Sequence, residues 1–295
     1  MMKWKNILMT KSIYTNHKIL TVGHACLDIV HQISKLPHLD NKTPSNNLNI
    51  RIGGNAANAA AALVDLGARA GLCTVLGSHS HPFTRVLVSL LMQQNIDISF
   101  CDYNDSLDCS CSTILVTPDG KRTIVNFQNE NLKSTINCPQ TLENISLVMG
   151  DNYRLPMVRQ VFSLASASNI PTMLDIDDIV NDISALPECN YAWLSYEAYK
   201  SLNKSLQDIQ THTRGLVGVT NGEHAVIWID RHGHTNSYVP HYVQPINTLG
   251  AGDVFRARFA IEICQATSIE DAVKNSCFSA IEHIQGQNLT PVYKE

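Results

Sequence analysis

The sequence predicts an α/β protein, a three-layer sandwich in which helices cover both faces of a mainly parallel sheet, with a small β lid. Two observations predict this fold. Short apolar runs alternate along the chain with helical patterns, which is typical of a parallel sheet buried on both faces. Two stretches depart from this alternation and show the two-residue period of half-buried strands, which indicates a second, smaller sheet.

In the main body, short apolar runs predict strands, and apolar residues spaced three or four positions apart predict helices. Glycines end the first strand and the first helix, at Gly23 and Gly67. Strands are predicted over 19–22, 70–76, 147–149, 172–174, 192–194 and 216–219, and helices over 55–66 and 86–94.

The lid is predicted from four segments that alternate apolar and polar residues, at 27–33, 48–52, 112–117 and 121–127. The last two flank Pro118-Asp119-Gly120, a turn sequence that predicts a β-hairpin. No linker, repeat or low-complexity segment divides the chain. We therefore expect one domain over residues 1–295, with lid strands inserted at roughly 24–52 and 110–128.

Composition and charge exclude several classes of protein. The chain of 295 residues has 22 Lys and Arg against 26 Asp and Glu, a net charge of −4, which lacks the positive clusters that bind nucleic acid. No apolar run approaches the roughly 20 residues of a membrane span. Residues 1–16 have scattered lysines and too short an apolar stretch for a signal peptide. We expect a loose leader on a soluble, cytoplasmic protein that binds neither nucleic acid nor membrane.

Cysteine and histidine spacing does not favour a metal site. Nine cysteines are dispersed along the chain without a Cys-x-x-Cys, so we expect reduced and mostly buried thiols. Cys109-x-Cys111 stands alone, without a second cysteine pair at metal-ligand spacing. The pairs His79-x-His81 and His232-x-His234 lie in turn-like sequence without a third ligand nearby, and we predict no metal held by protein ligands.

A segment near the carboxyl end, Asn247-Thr248-Leu249-Gly250-Ala251-Gly252-Asp253-Val254-Phe255, precedes an apolar helical pattern. Two glycines around an alanine at a helix start let backbone N–H groups converge, and the helix dipole favours an anion there. Asp253 in the first turn would be placed to take a proton from an attacking hydroxyl. Alternatively, Asp253 is only an acid favoured by the dipole. The segment alone leaves both interpretations open.

A second segment, Gly53-Gly54-Asn55-Ala56-Ala57-Asn58, opens the alanine-rich helix. The glycine pair lets a ligand approach the backbone, and Asn55 and Asn58, three apart on one helix face, offer hydrogen bonds to neighbouring hydroxyls. Taken alone, the segment favours a tightly packed helix with an Asn cap. No Walker-type sequence and no Gly-x-Gly-x-x-Gly after a strand occurs.

Together these segments resemble the two signatures of the PfkB, or ribokinase-like, family of carbohydrate kinases. The first continues into Leu66-Gly67-Ala68, and the second covers 248–255. Between them, Lys121-Arg122-Thr123 and Val219-Thr220-Asn221-Gly222 follow in the expected order. The resemblance spans roughly residues 20–286.

The resemblance implies a ribokinase-like fold and transfer of the ATP γ-phosphate to a sugar-like hydroxyl, with Mg²⁺ bound mainly through phosphates and water. By position, Asp253 matches the catalytic base of the family, with an anion hole formed by Gly250, Ala251 and Gly252. The residues that match sugar contacts are Asp28, Gly54, Asn55, Asn58 and Arg122. Those that match the nucleotide side are Thr220, Gly222, Asn275 and Glu197, the last from an Asn-x-x-Glu motif.

Several positions depart from the family pattern. Asn247 replaces the usual Asp of the second signature, which removes a charge and argues against activation by a monovalent cation such as potassium. Leu194 stands where Asn-x-x-Glu would have its asparagine, and Ser78 lies in an altered turn. Arg258 and Glu262 interrupt the apolar helix in the less favourable order, and would pair weakly if exposed.

The sequence therefore predicts an ATP-dependent kinase of a small sugar. The run 121–126 favours a fructose-like ketose or an acidic derivative. The departures leave open a catalytically weak or silent relative that binds sugar or nucleotide as a sensor or partner. A nucleoside kinase is a third interpretation, against which the low aromatic content of 6% weighs slightly. A homodimer through the lid strands is also expected from the resemblance.

Overall fold

A computed structural model describes residues 17–133, 139–177, 186–246 and 248–286. The strands are β1 Lys18–Val22, β2 Cys26–Ile33, β3 Ser45–Gly53, β4 Arg69–Cys73, β5 Val75–Leu76, β6 Asp102–Tyr103, β7 Cys111–Val116, β8 Arg122–Phe127, β9 Ile145–Asp151, β10 Thr172–Ile176, β11 Tyr191–Ser195, β12 Leu216–Thr220, β13 Val226–Ile229 and β14 Thr235–Tyr238. The helices are α1 Asn55–Asp65, α2 Pro82–Gln93, α3 Leu155–Ala167, α4 Tyr196–Leu202, α5 Leu206–Gln210, α6 Ala251–Cys264 and α7 Ile269–Ile284.

The central sheet has eight strands in the order β14-β13-β12-β11-β10-β9-β1-β4. The six strands from β12 to β4 are parallel to one another. Strands β13 and β14 extend the sheet beyond β12 as two antiparallel strands at one edge. The predicted α/β class is confirmed. The carboxyl ends of the parallel strands meet at one edge, where α/β proteins bind their ligands.

The predicted strand over 70–76 is two strands rather than one. Thr74 marks the break: its hydroxyl donates to the carbonyl of Gly23 (2.7 Å), and its own carbonyl accepts from the amide of Asp102 (2.9 Å). The chain therefore leaves the central sheet after β4, and β5 pairs with β6 instead. The apolar run 70–76 gave no sign of this change of partner because both strands are buried.

The antiparallel hairpin β13–β14 was not predicted. Its turn is held by Asp230, whose carboxylate accepts hydrogen bonds from the amides of His232 (2.8 Å) and His234 (3.0 Å). Three residues of β14 are exposed, so it lacks the apolar period on which the sequence prediction relied.

Helices cover both faces of the central sheet. Alternate residues of β1 illustrate this: Ile19 packs into the core beneath α1, α6 and α7, whereas Leu20 packs into the core beneath α3, α4 and α5. Trp193 of β11 anchors α6, because its ring makes edge contacts with Phe255 and Phe259, at centroid distances of 4.9 and 5.0 Å. This packing fixes the direction in which the amino end of α6 points.

The lid is a separate four-stranded sheet in the order β3-β2-β7-β8. The predicted β7–β8 hairpin is confirmed, with Val116 opposite Arg122 and Gly120 at φ +77° in the turn. Strand β2 pairs parallel to β7 and antiparallel to β3. Every residue of β8 is exposed, so β8 forms an open edge of the lid.

The charged pair on α6 differs from the expectation for an exposed pair. Arg258 and Glu262 are buried, with side chains 12% and 4% exposed, and their Nη2 and Oε1 atoms lie 2.6 Å apart. A second hydrogen bond to the same oxygen comes from the Asn275 amide (3.0 Å). Helix α7 shields the pair from water, so the pair joins α6 to α7.

Two further sequence expectations bear on the described part of the chain. The eight cysteines described there are free, and five of them are buried. None of the helices described has both the length and the apolar composition needed to cross a membrane. The expected leader over residues 1–16 lies outside the described residues, as does Asn247.

Candidate active site

The amino end of α6 forms the first part of the site. Gly250 caps the helix in the left-handed conformation, with φ +81°, and a side chain there would be strained. First-turn amides of a helix have no intrahelical acceptor, which makes the position suited to an anion. The Ala251 amide is engaged in the turn, since it donates to the Thr248 carbonyl (3.3 Å).

Asp253 lies in this first turn with its side chain 13% exposed. Burial raises the pKa of this carboxyl to about 6, although Arg256 and His283 oppose the rise and Asp177 adds to it. A carboxyl with a pKa close to neutral can exchange protons with a reacting hydroxyl at physiological pH. This environment suits a general base better than an ordinary helix-start acid, which is exposed.

Arg256 is a residue of the site that sequence analysis missed. Its side chain is 3% exposed, with Nε 2.9 Å from Oδ2 of Asp175 and Nη2 3.5 Å from Oδ1 of Asp253. The spacing of three residues after Asp253 on a predicted helix was the available signal, because residues three apart share a helix face. An arginine in an apolar helix pattern indicates a buried partner.

The lid contributes the second part of the site. Asp28 of β2 lies directly opposite Arg51 of β3, and the Oδ2 and Nε atoms are 3.7 Å apart. The Cys26 thiol donates to Oδ1 of Asp28 over 3.5 Å. Burial raises the pKa of Asp28, while Arg51 and hydrogen bonds from Cys26 and Ser112 oppose the rise. Sequence analysis named Asp28 but missed Arg51, which the period of β3 places on the same face.

The first signature supplies the third part. Gly54 caps α1 at φ +87°, where a Cβ would lie 2.5 Å from the His24 carbonyl oxygen. Asn55 begins the helix, and its Nδ2 is buried without a hydrogen-bond partner. Asn58, one turn later, points into a cavity. A buried amide that lacks an acceptor is a signal for a ligand, since such groups are otherwise paired.

One cavity is lined by residues from all three parts, although Asp28, Gly54 and Asn55 are not among them. Its lining residues come from β3, α1, α6 and α7: Arg51, Ile52, Asn58, Ala62, Asp65, Leu66, Leu249, Gly250, Asp253, Val254 and His283. Asn58 of the first signature and Asp253 of the second thus face the same space. The two signatures, which are far apart in the sequence, are brought together by the contact of α1 with α6.

Arg122 does not line this cavity. It begins β8 and lines a groove at the tip of the lid, with Thr117, Lys121 and Thr123 among its neighbours. Burial lowers the pKa of Arg51, the Asp28 carboxylate opposes this change, and the positive charge of Arg122 adds to the lowering. Arg122 therefore lies apart from the cavity, at the tip of the lid.

The residues predicted for the nucleotide side are divided between two places. Thr220 ends β12 next to Ser195 of β11, and its hydroxyl donates to the Leu194 carbonyl (3.4 Å). Glu197 follows in the first turn of α4, and Gly222 lies in the turn after β12 at φ +54°. These three gather at the carboxyl edge of the sheet. Asn275 instead lies between α6 and α7 and donates to Glu262.

Two departures can be located. The Leu194 side chain is fully buried, so that it packs in the core of the α3–α5 face rather than facing the site. The altered turn is held by its own hydrogen bonds, including Ser78 to Ser80 (2.8 Å) and the His79 amide to Asp105 (2.9 Å). Among the described residues, no group of three or more His, Cys, Asp or Glu side chains is arranged to hold a metal ion.

The fold and the site define an α/β protein with a small-molecule cavity between a lid and an anion-binding helix start. The model of the pfkB family of carbohydrate kinases matches residues 16–291, and the chain belongs to this family. It is therefore a phosphotransferase that acts on a sugar, and the resemblance seen in the two signatures is confirmed.

Individual relatives agree with this assignment. The chain is 25% identical over 292 residues to ketohexokinase of Mus musculus, covering 88% of this chain and 93% of the mouse protein. It is 23% identical over 289 residues to an ATP-dependent ribose-1-phosphate kinase of Halopiger xanaduensis, covering 93% of this chain and 95% of the Halopiger protein. The crystal structure of a ribokinase-like protein from Agrobacterium tumefaciens superimposes with a TM-score of 0.83 at 23% identity, covering 91% of each chain. That likeness shows the ribokinase fold.

Proposed function

We propose that this protein transfers the γ-phosphate of ATP, supplied with Mg²⁺, to a hydroxyl of a small sugar, with Asp253 as the general base. The observation that carries this proposal is the single cavity lined by Asn58, Arg51 and Asp253. The cavity places the Asn58 side-chain amide, which can hydrogen-bond to sugar hydroxyls, and the Asp253 carboxylate, which can accept a proton, near the amino end of α6. Phosphoryl transfer needs this combination of positioning and charge stabilisation.

The chemical step follows from these groups. The carboxylate of Asp253 takes the proton of the attacking hydroxyl as that oxygen forms its bond to the γ-phosphorus. The bond between the γ-phosphorus and the bridging oxygen breaks, and ADP leaves with that oxygen. Amides in the first turn of α6 stabilise the negative charge on the transferring group. The proton on Asp253 is then lost to water.

A nucleotide phosphate fits the start of α6, because Gly250 caps the helix in the left-handed conformation and first-turn amides have no intrahelical acceptor. The Halopiger relative is an ATP-dependent ribose-1-phosphate kinase, which supports ATP as the donor. Thr220, Gly222 and Glu197 at the neighbouring sheet edge would hold the rest of the nucleotide. A Mg²⁺ ion held by phosphates and water fits a site with no carboxylate cage among the described residues. The ion would neutralise phosphate charge.

The acceptor would bind between Asp28, Asn55 and Asn58. The unpartnered Nδ2 of Asn55 can donate to a hydroxyl, and the Asp28 carboxylate can accept from one. The match to ketohexokinase favours a fructose-like ketose. Arg51 and Arg122 add positive charge to the lid, so we expect an acidic sugar derivative to bind more tightly than the corresponding neutral sugar.

A panel of ligands tests the acceptor. Ketoses, aldoses, their phosphates and acids, and nucleosides are added to the protein with and without a non-hydrolysable ATP analogue, and the melting temperature is measured. A ligand that binds only the folded form raises it. ADP release is then measured with each binder. A ketose that raises the melting temperature and supports ADP release confirms the proposal, whereas release with nucleosides alone contradicts it.

The ion pair of Asp253 with Arg256 is the observation that favours the silent relative, because a base held by a guanidinium can also be a purely structural pair. Binding of sugar and nucleotide without ADP release from any sugar in the panel would support that function and contradict the kinase. Release that is lost on Asp253→Asn would exclude it.

A homodimer through the lid completes the proposal. Strand β8 is an open edge with exposed apolar side chains at Ile124, Val125 and Phe127, which are 48%, 65% and 49% exposed. Such an edge pairs readily with another strand. We expect the protein to sediment as a dimer at micromolar concentration and Val125→Lys to shift it to monomer. A wild-type monomer would contradict the dimer.

A further inference from the structure

Arg256 occupies an unusual position in the site. Its guanidinium is buried on the side of the first turn of α6, with one edge toward Asp175 of β10 and the other toward Asp253. A Cβ at Gly252 would lie 2.9 Å from Nη2 and 3.2 Å from Nη1, so the guanidinium covers that glycine. Arg256 therefore contacts both the glycine turn and the acid beside it.

Asp175 anchors this guanidinium. It is 5% exposed and lies at the carboxyl end of β10, next to Asp151 of β9. An isolated buried carboxylate or guanidinium is strongly unfavourable, so each group requires the other. Because Asp175 lies on a central strand and Arg256 on α6, the position of the guanidinium is set by the sheet and not by the lid.

The charged groups that face Asp253 come from several elements. Arg256 is on its own helix, His283 is on α7, Asp175 and Asp177 belong to the end of β10, and Arg51 is on β3 of the lid. Arg256 has the largest opposing influence on the pKa of Asp253, which burial raises to about 6. A guanidinium keeps its proton at any physiological pH, so this influence is constant.

We propose that Arg256 is a positioning residue of the phosphoryl transfer: anchored by Asp175, it orients the Asp253 carboxyl toward the cavity and holds it in the ionised form. The inference rests on the proposed role of Asp253 as the base. Without the guanidinium, the buried carboxyl would be protonated at neutral pH and unable to accept a proton. If Arg256 served only to neutralise Asp175, it would stabilise the fold without affecting the protonation of Asp253.

The test is a titration of the Asp253 carboxyl, followed by carbon NMR in the full-length protein. Asp253→Asn identifies the signal. In Arg256→Met we expect the midpoint to rise by one pH unit or more, and in Arg256→Lys to stay close to wild type. Because Arg256→Met leaves Asp175 unpaired, the double variant Asp175→Asn with Arg256→Met is also measured, and its midpoint should lie one pH unit or more above that of Asp175→Asn alone, since Asp175 also interacts with Asp253. As a control, Arg258→Met combined with Glu262→Gln removes a second ion pair of the same helix and leaves the midpoint unchanged.

The acidic limb of the pH profile of kcat gives the second measurement. It moves to higher pH in Arg256→Met and in the double variant by the same amount as the midpoint, and Arg256→Lys restores it. An Asp253 midpoint in the double variant that stays within 0.3 unit of that in Asp175→Asn overturns the inference, whatever the activity. A wild-type protein without kinase activity refutes the proposed function instead, while the titration still decides whether Arg256 keeps Asp253 ionised.

Discussion

The carboxyl of Asp28 occupies the space that a Cβ at Gly53 would fill on the neighbouring strand. Gly53 lies opposite Cys26 in the β2–β3 register, so the Asp28 side chain crosses the lid strand at the last residue of β3. The first glycine of the signature is thus matched to Asp28, the acid that we propose to bind the acceptor. Two features that are 25 positions apart in sequence depend on each other in the fold.

Gly53→Ala should displace the Asp28 carboxyl. We expect the KM for the acceptor to rise about tenfold or more, because the acid can no longer accept a hydrogen bond in its normal position, while the affinity for ADP stays within about twofold. Steady-state kinetics and ADP titration measure the two effects. Equal losses on both sides would mean a general loss of folding, and no change in KM would refute the match between Gly53 and Asp28.

Arg51→Met should make acceptor binding more sensitive to acid. Burial already raises the pKa of Asp28, and Arg51 opposes this rise, so loss of its charge raises the pKa further. As the pH falls, the KM for the acceptor should therefore increase at a higher pH in the variant than in wild type, with kcat little changed. Arg51→Lys keeps the charge and should return the profile toward wild type. Superimposable profiles of KM against pH for Arg51→Met and wild type would contradict this account.

The pH dependence of stability follows from Asp253. Its folded-state pKa of about 6 exceeds the usual 3.8, so the folded protein binds the proton more tightly than the unfolded chain. The resulting stabilisation is present at low pH and is lost as the pH rises from about 4 to 7, by about 3 kcal/mol in total. Asp253→Asn lacks this change, and the buried acids that do not interact with Asp253 cancel in the comparison.

Chemical denaturation of both proteins between pH 4 and 7.5 measures the difference. Wild type should lose stability relative to Asp253→Asn as the pH rises. A constant difference across this range would show that the carboxyl has an ordinary pKa, and would weaken its assignment as a base.

Phe259→Ala should be the most destabilising of the simple truncations in α6. Phe259 is fully buried and makes edge contacts with Trp193 and Tyr191. We expect a loss of about 3–5 kcal/mol in the free energy of unfolding, the usual result of removing a buried aromatic ring. Phe278→Ala on α7 is the matched control, since that ring is 37% exposed and should cost about 1 kcal/mol or less. Similar losses would show that α6 is not anchored through Phe259.

Local patterns predicted most of the fold and the two signatures, for reasons that the structure makes clear. Short buried strands and the lid hairpin follow from apolar period and turn residues, and these act over a few neighbours. The split after β4 and the hairpin β13–β14 depend on partners that are distant or on exposed residues, where period carries little information.

For the candidate site, too, sequence analysis identified some residues and missed others. Gly54, Asn58, Gly250 and Asp253 are recognisable because their residue types are constrained by the backbone or the chemistry. Arg51 and Arg256 were missed because their significance depends on Asp28 and Asp175, which only the tertiary fold brings to them. Asn275 is bound to Glu262, a contact that requires the packing of α6 on α7.

The most direct measurement for the central claim is the turnover of Asp253→Asn with the acceptor found in the panel, alongside ADP affinity. Asp271→Asn is the control, because Asp271 is also an acid in the first turn of a helix but lies at the exposed start of α7. We expect kcat to fall by about 10² to 10⁴ in Asp253→Asn, with ADP affinity retained and Asp271→Asn close to wild type. Turnover in Asp253→Asn that matches wild type would contradict the assignment of Asp253 as the base.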